Sequence, residues 1–194
     1  AGDNELWQFV TADERKALIG PGDDATVFIS DADFILNNTN PTDWVGTKIG
    51  GESGSGTNIA NNSNCERWNS GTYDTYQVIT GLPKGRYTLT AQAFYRHGNA
   101  DQAAADAYEA GTEVSPILYA NGQEVKIKSV FSEAKTEVEG GWAVAAGKYF
   151  IPNGQAQAAY CFSEGAYMHT ISDIIVDADT LRIGVKREGD AIKD

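Results

Sequence analysis

The chain has 194 residues, 41% hydrophobic and 22% charged, which excludes disordered and collagen-like classes and fits one globular core. Fifteen basic against twenty-seven acidic residues give a formal charge of -12, a field that repels nucleic-acid phosphates and anionic lipid headgroups. No stretch approaches the roughly 18 consecutive apolar residues that span a bilayer, and Ala1 to Asn4 carry no basic or apolar leader region, so a signal peptide, if one existed, is expected to be already gone.

Residues 1–24 read as a lead-in. Leu6, Phe9, Val10, Leu18 and Ile19 surround the charged run Asp13-Glu14-Arg15-Lys16, and Thr11 stands three residues before Glu14, the spacing of a helix-capping pair. A short helix is therefore expected, ended by the turn residues Pro21-Gly22-Asp23-Asp24, with a first strand over Ala25 to Ile29. Residues 25–194 form the expected main domain. From Asn37 to Gly71 the composition turns to Asn, Gly, Ser and Thr and loses periodicity, as a long loop does. Loops above about 12 to 15 residues commonly build binding surfaces.

Gly85 to Arg96 is the clearest strand: Tyr87, Leu89, Ala91, Ala93 and Tyr95 alternate with polar residues, broken only by Phe94. One polar and one apolar face belong to an antiparallel sheet. Tyr73 to Thr80 is the expected hairpin partner, across Gly81 to Gly85. The alanine-rich stretch Asp101 to Ala110 reads as a helix. Ile117 to Ala120 and Glu124 to Val130 read as a hairpin across Asn121-Gly122, a type I′ signal, with Val125 and Ile127 inward. Gln155 to Phe162 reads as a helical turn, and Thr170 to Val176 and Thr180 to Lys186 as the last two strands. Short strands with few helices define an all-β class, an antiparallel β-sandwich or barrel with one or two short helices.

Several segments, taken in order, resemble the galactose-binding-like modules of exported Bacteroidetes proteins. They are Asn40-Pro41, Thr80 to Tyr87, Ala93 to Arg96, Ile117 to Gly122, Tyr149 to Asn153 and Leu181 to Val185, and the likeness runs from about Asp31 to the end. The resemblance implies a jelly-roll sandwich of carbohydrate-binding-module type, secreted or at the cell surface or periplasmic, joined to other domains of a larger protein. It also implies a glycan or cell-surface polysaccharide as partner. In that family a further strand follows the Gly-Val strand, so this chain is expected to lack its last strand and to leave an open edge near Val185.

No enzyme signature is present: the run Gly51 to Gly56 makes no nucleophile elbow, and His97 and His169 stand outside any metal-type pair and read as surface or loop residues. Cys65 and Cys161 lack zinc-ligand neighbours and leave one disulfide open as an option. The acidic pairs Asp31/Asp33 and Asp177/Asp179 begin no EF-hand loop, and the metal question stays open, with a structural calcium implied by the resemblance. Sugars offer apolar faces and hydroxyl edges, so a site needs flat rings and a few orienting polar groups. Glu66, Trp68, Arg96, His97 and Trp142 supply both. Trp44, Tyr73 and Tyr95 read as core aromatics, and Arg96 has a second reading as a structural partner of Glu66. The expected function is a non-catalytic carbohydrate-binding module; the alternative is a structural or adhesive spacer without a small ligand.

Overall fold

The computed structural model describes residues 11–34, 43–47, 64–67, 71–97, 102–135, 143–145 and 147–190. In chain order, the strands are β1 (Val45–Gly46), β2 (Tyr73–Thr80), β3 (Gly85–Gln92), β4 (Phe94–Tyr95), β5 (Ile117–Ala120), β6 (Gln123–Lys126), β7 (Lys128–Ser129), β8 (Ala143–Ala145), β9 (Tyr149–Ile151), β10 (Met168–Val176) and β11 (Thr180–Arg187). Among the described residues the α-helices are α1 (Ala12–Leu18), α2 (Gln102–Glu109) and α3 (Gln155–Ser163). The fold is thus mostly antiparallel β, with three short α-helices among the described residues where one or two were expected.

A five-stranded antiparallel sheet runs β1-β2-β11-β5-β6, and a two-stranded antiparallel sheet pairs β3 with β10. Their apolar faces meet in one core: Ile79, Leu118, Ala120, Leu181 and Ile183 from the first, Ile171, Ile174 and Val176 from the second, with Leu89 and Ala91 packed against them. This packing is compatible with a β-sandwich. A smaller cluster of Ala104, Ala105, Val130, Phe131 and Ile151 seats α2 against β9 and the 3₁₀ turn Val130–Glu133.

The lead-in helix forms for the expected reason: Thr11 Oγ1 accepts the Glu14 amide at 3.2 Å while Glu14 Oε2 accepts the Thr11 amide at 2.7 Å. The strand expected over Ala25 to Ile29 is corrected to a 3₁₀ turn at Thr26–Phe28. Asp24 Oδ1 captures the Thr26 amide at 2.8 Å and bends the backbone before a ladder can start.

The hairpin expected between Tyr73 to Thr80 and Gly85 to Arg96 is also corrected, because β2 pairs with β1 and β11 while β3 pairs with β10. Gly81, at φ 74°, gives its amide to the Asp179 carbonyl, and the chain crosses from one sheet to the other. The long strand itself splits at Ala93, whose amide leaves the ladder for Tyr167 O at 3.1 Å. Beyond the break, β4 pairs in parallel with β7.

The hairpin β5–β6 forms across Asn121-Gly122 as expected, with Ala120 opposite Gln123. Only Asn121 has a positive φ, 50°, so the turn is not type I′, which needs two left-handed residues. The strand expected through Val130 ends sooner, as β6 and then β7. Val185 has Thr75 on one side and Leu118 on the other, so the open edge expected there is corrected: β11 is an interior strand. No disulfide joins Cys65 and Cys161, and burial together with the Asp31 carboxylate pushes the Cys65 thiol up to about 12.

Candidate functional site

Three chain segments meet beyond the end of β4. Arg96 follows β4 directly and is 7% exposed, and its Nη1 donates to Asn153 Oδ1 at 3.0 Å. Asn64, equally buried, donates from Nδ2 to the Gln155 carbonyl at 3.0 Å. The turn 152–155 at the start of α3 is therefore held from one side by the end of the best strand and from the other by the segment 64–67. The Asn153 amide donates back to Gln157 Oε1 and ties the turn to the helix.

Of the residues singled out in the sequence, Glu66, Arg96 and His97 are described, and their two segments share this anchor. Glu66 and His97 are half-buried. Among the described residues His97 Nδ1 is enclosed and has no hydrogen-bond partner. Leaving such a group unpaired costs about 1–3 kcal/mol, a cost that a rearrangement exposing it to a polar partner would recover. Trp68 and Trp142 lie outside the described residues. The structural alternative for Arg96 takes a different form from the one expected: its guanidinium reaches Asn153.

Of the other aromatics read as core, Tyr95 and Trp44 pack in or against the main core, whereas Tyr73 is in neither cluster. Tyr95 is 3% exposed, its hydroxyl donates to Glu113 Oε2 at 2.9 Å, and burial pushes the phenol up to about 12. Trp44 packs against the core with Nε1 on the Ser30 carbonyl at 3.1 Å and its ring 5.5 Å from Phe34. Tyr73 is half-buried beneath the Arg67 guanidinium, 5.6 Å from its ring centre.

A second polar cluster escaped the sequence reading. On the outer face of the five-stranded sheet, Tyr119 Oη donates to Asp74 Oδ1 at 2.7 Å, and Arg182 pairs with Asp74 Oδ2 at 2.6 Å while donating from Nε to Tyr119 Oη at 3.1 Å. The Arg182 guanidinium lies 3.6 Å from the Tyr76 ring centre. Its legible signal was Gly184, a glycine inside a strand between Arg182 and Lys186. Asp74, Tyr119 and Arg182 thus bond to one another in a closed triangle.

His169 was read as a surface or loop residue; the structure corrects this to a core position, 4% exposed, on the inward face of β10. Its Nε2 accepts the Lys128 amide at 2.9 Å, which requires that nitrogen to be unprotonated. Desolvation holds its pKa below the ordinary value despite the Glu133 carboxylate nearby, and the Lys128 ammonium pushes the same way. Glu133 is raised by burial, but the Lys128 ammonium and the Tyr167 amide outweigh that and keep it below the usual carboxylate range.

Because the folded His169 pKa lies below the unfolded value of about 6.5, the unfolded chain binds the extra proton first. The stability from neutral His169 is complete above that pH and is lost as pH falls through the folded pKa. Urea midpoints should fall between pH 7.5 and pH 5, and His169→Gln, which keeps an acceptor for the Lys128 amide, should flatten that fall. An unchanged slope in the variant would assign the acid sensitivity to other groups.

No family model, no curated protein and no solved structure matches this chain.

Proposed function

We propose that the chain is a non-catalytic carbohydrate-binding module of a secreted or cell-surface protein, a jelly roll of the galactose-binding-like type. Its glycan site is the loop end that the segments of Glu66, Arg96 and His97 share, and Trp68 and Trp142 are proposed as its aromatic groups from their chemistry in the sequence. The observation that carries this reading is the convergence of three segments at this loop end, where Asn153 holds the buried Arg96 guanidinium and the next residue, His97, has an unsatisfied Nδ1. An arginine fixed by Asn153 and a histidine next to it in the chain are polar groups of the kind that orient sugar hydroxyls, for which Trp68 would supply a stacking face. The reading also draws on the ordered family-like segments and on a sequence without a catalytic signature.

Titrating a broad panel of neutral and acidic oligosaccharides while following tryptophan emission tests it. At least one glycan class should shift the emission saturably, and Trp68→Ala should weaken that glycan by about 10-fold or more, as loss of a central aromatic contact does. A flat response across the panel would favour the spacer reading.

A further inference from the structure

We infer that the outer edge of β2, from Gln77 to Thr80, is a docking site for an extended segment of another polypeptide, added as an extra strand in line with β1. The backbone parity of β2 carries the inference. The Thr47 amide donates to the Asp74 carbonyl at 2.8 Å, and Val45 stands opposite Tyr76. In an antiparallel ladder a residue turns both its N–H and its C=O to the same side, and alternate residues turn to alternate sides. Asp74, Tyr76, Val78 and Thr80 therefore aim at the β1 side, and Thr75, Gln77 and Ile79 at β11.

The covering strand ends before the ladder does. β1 supplies only Val45 and Gly46, and Asp43, two residues before it, has a left-handed φ of 63°, outside the extended region of a regular strand. Among the described residues nothing pairs with β2 beyond Tyr76 on this side, so the N–H and C=O groups of Val78 and Thr80 face outward. Val78 is 48% exposed.

A groove coincides with this edge. It holds about 450 Å³ and is lined by Gln77, Val78, Ile79 and Thr80, by Phe28 and Val45, and by Lys16 and Asp43. It shares no residue with the glycan site proposed above. Alternating backbone donors and acceptors at two-residue spacing recognise a peptide backbone and no other common ligand, the mode of strand addition. An antiparallel incoming strand places the side chain opposite Ile79 on the inner face, toward Phe28, where an apolar residue fits. The side chains opposite Val78 and Thr80 fall on the outer face. A second copy of this chain is disfavoured because each carries -12, whereas a neutral or basic segment is attracted.

The test begins with a phage-displayed library of random octapeptides selected against the whole protein. The enriched peptide is then measured by calorimetry against the protein and against Val78→Pro. Proline removes the outward N–H of Val78 without touching the β11 ladder, a substitution that edge strands accept. Enriched peptides should alternate around an apolar residue. Val78→Pro should weaken them at least tenfold, alternate N-methylation of the peptide should do the same, and peptide should slow hydrogen exchange of the Val78 and Thr80 amides.

If Val78→Pro does not fold, the N-methylated peptide and the exchange rates decide. The inference is overturned by a library that yields no binder, by peptides indifferent to both modifications, or by Val78 and Thr80 amides already protected in the free protein. It is equally overturned by sedimentation showing self-association that Val78→Pro abolishes, which would assign the edge to a second copy.

Discussion

Gly184→Ala is expected to destabilise the protein by about 3 kcal/mol, the upper part of the range for overfilling a packed site, or roughly 6–12 °C in the unfolding midpoint of a domain this size. A Cβ at Gly184 would stand 2.6 Å from the Thr75 carbonyl oxygen and 2.8 Å from both Tyr119 Oη and Tyr76 Cβ. The first of these is ladder backbone, since Val185 and Thr75 pair across β11 and β2, and it cannot give way without breaking the sheet. The second is the hydroxyl that links Asp74 and Arg182. Glycine is required here by crowding and not by its φ, which lies outside the left-handed region. Thermal unfolding of the variant checks the expectation, and a midpoint within about 2 °C of the parent would contradict it.

The second large effect is at Tyr167, which is 1% exposed and serves four neighbours. Its hydroxyl donates to the Val130 carbonyl at 2.8 Å, its amide to Glu133 Oε2 at 2.7 Å, its carbonyl accepts the Ala93 amide, and its ring lies 4.8 Å from that of Phe94. Tyr167→Ala should cost about 4 kcal/mol, the middle of the range for emptying an aromatic site. Tyr167→Phe removes only the hydroxyl bond and should cost about 1 kcal/mol.

Backbone strain supplies an internal control. Tyr167 sits at φ 57°, where a non-glycine residue loses about 1–2 kcal/mol. Tyr167→Gly should therefore be no worse than Tyr167→Ala although it empties slightly more space. Denaturant unfolding of the three variants orders them, and a glycine variant clearly weaker than the alanine one would refute the strain component.

How far the fold was legible depended on the range of each interaction. The Thr11 cap, the helix over Gln102–Glu109 and the hairpin across Asn121-Gly122 are local, decided within a few residues, and were read correctly in kind. Period-two alternation in β2 and β3 told which face of each strand is buried but not which neighbour completes its ladder. Two strands joined by the four residues Gly81 to Lys84 can lie side by side or face each other across a core, and here they face each other.

The spacing Ile171-Ser172-Asp173-Ile174 contained a readable irregularity. Two inward isoleucines three apart break the alternation, and the ladder shifts register there, with Asp173 at φ 59°. His169 was misread because a solitary histidine gives no sign of burial in sequence. Its parity with Ile171 was the available signal. At the candidate site, Glu66, Arg96 and His97 were chosen for their chemistry, but the turn 152–155 that joins their segments was not, since Asn64 and Gln155 are 91 residues apart.

The account turns on the loop end where Asn64, Arg96 and Asn153 converge, and backbone amide NMR spectra recorded during a glycan titration test it most directly. The account predicts saturable shifts concentrated at Asn64 to Arg67, Arg96, His97 and Asn153 to Gln155, with β2 and β11 unmoved. Shifts confined to another surface, or spectra unchanged by every glycan in the panel, would contradict it.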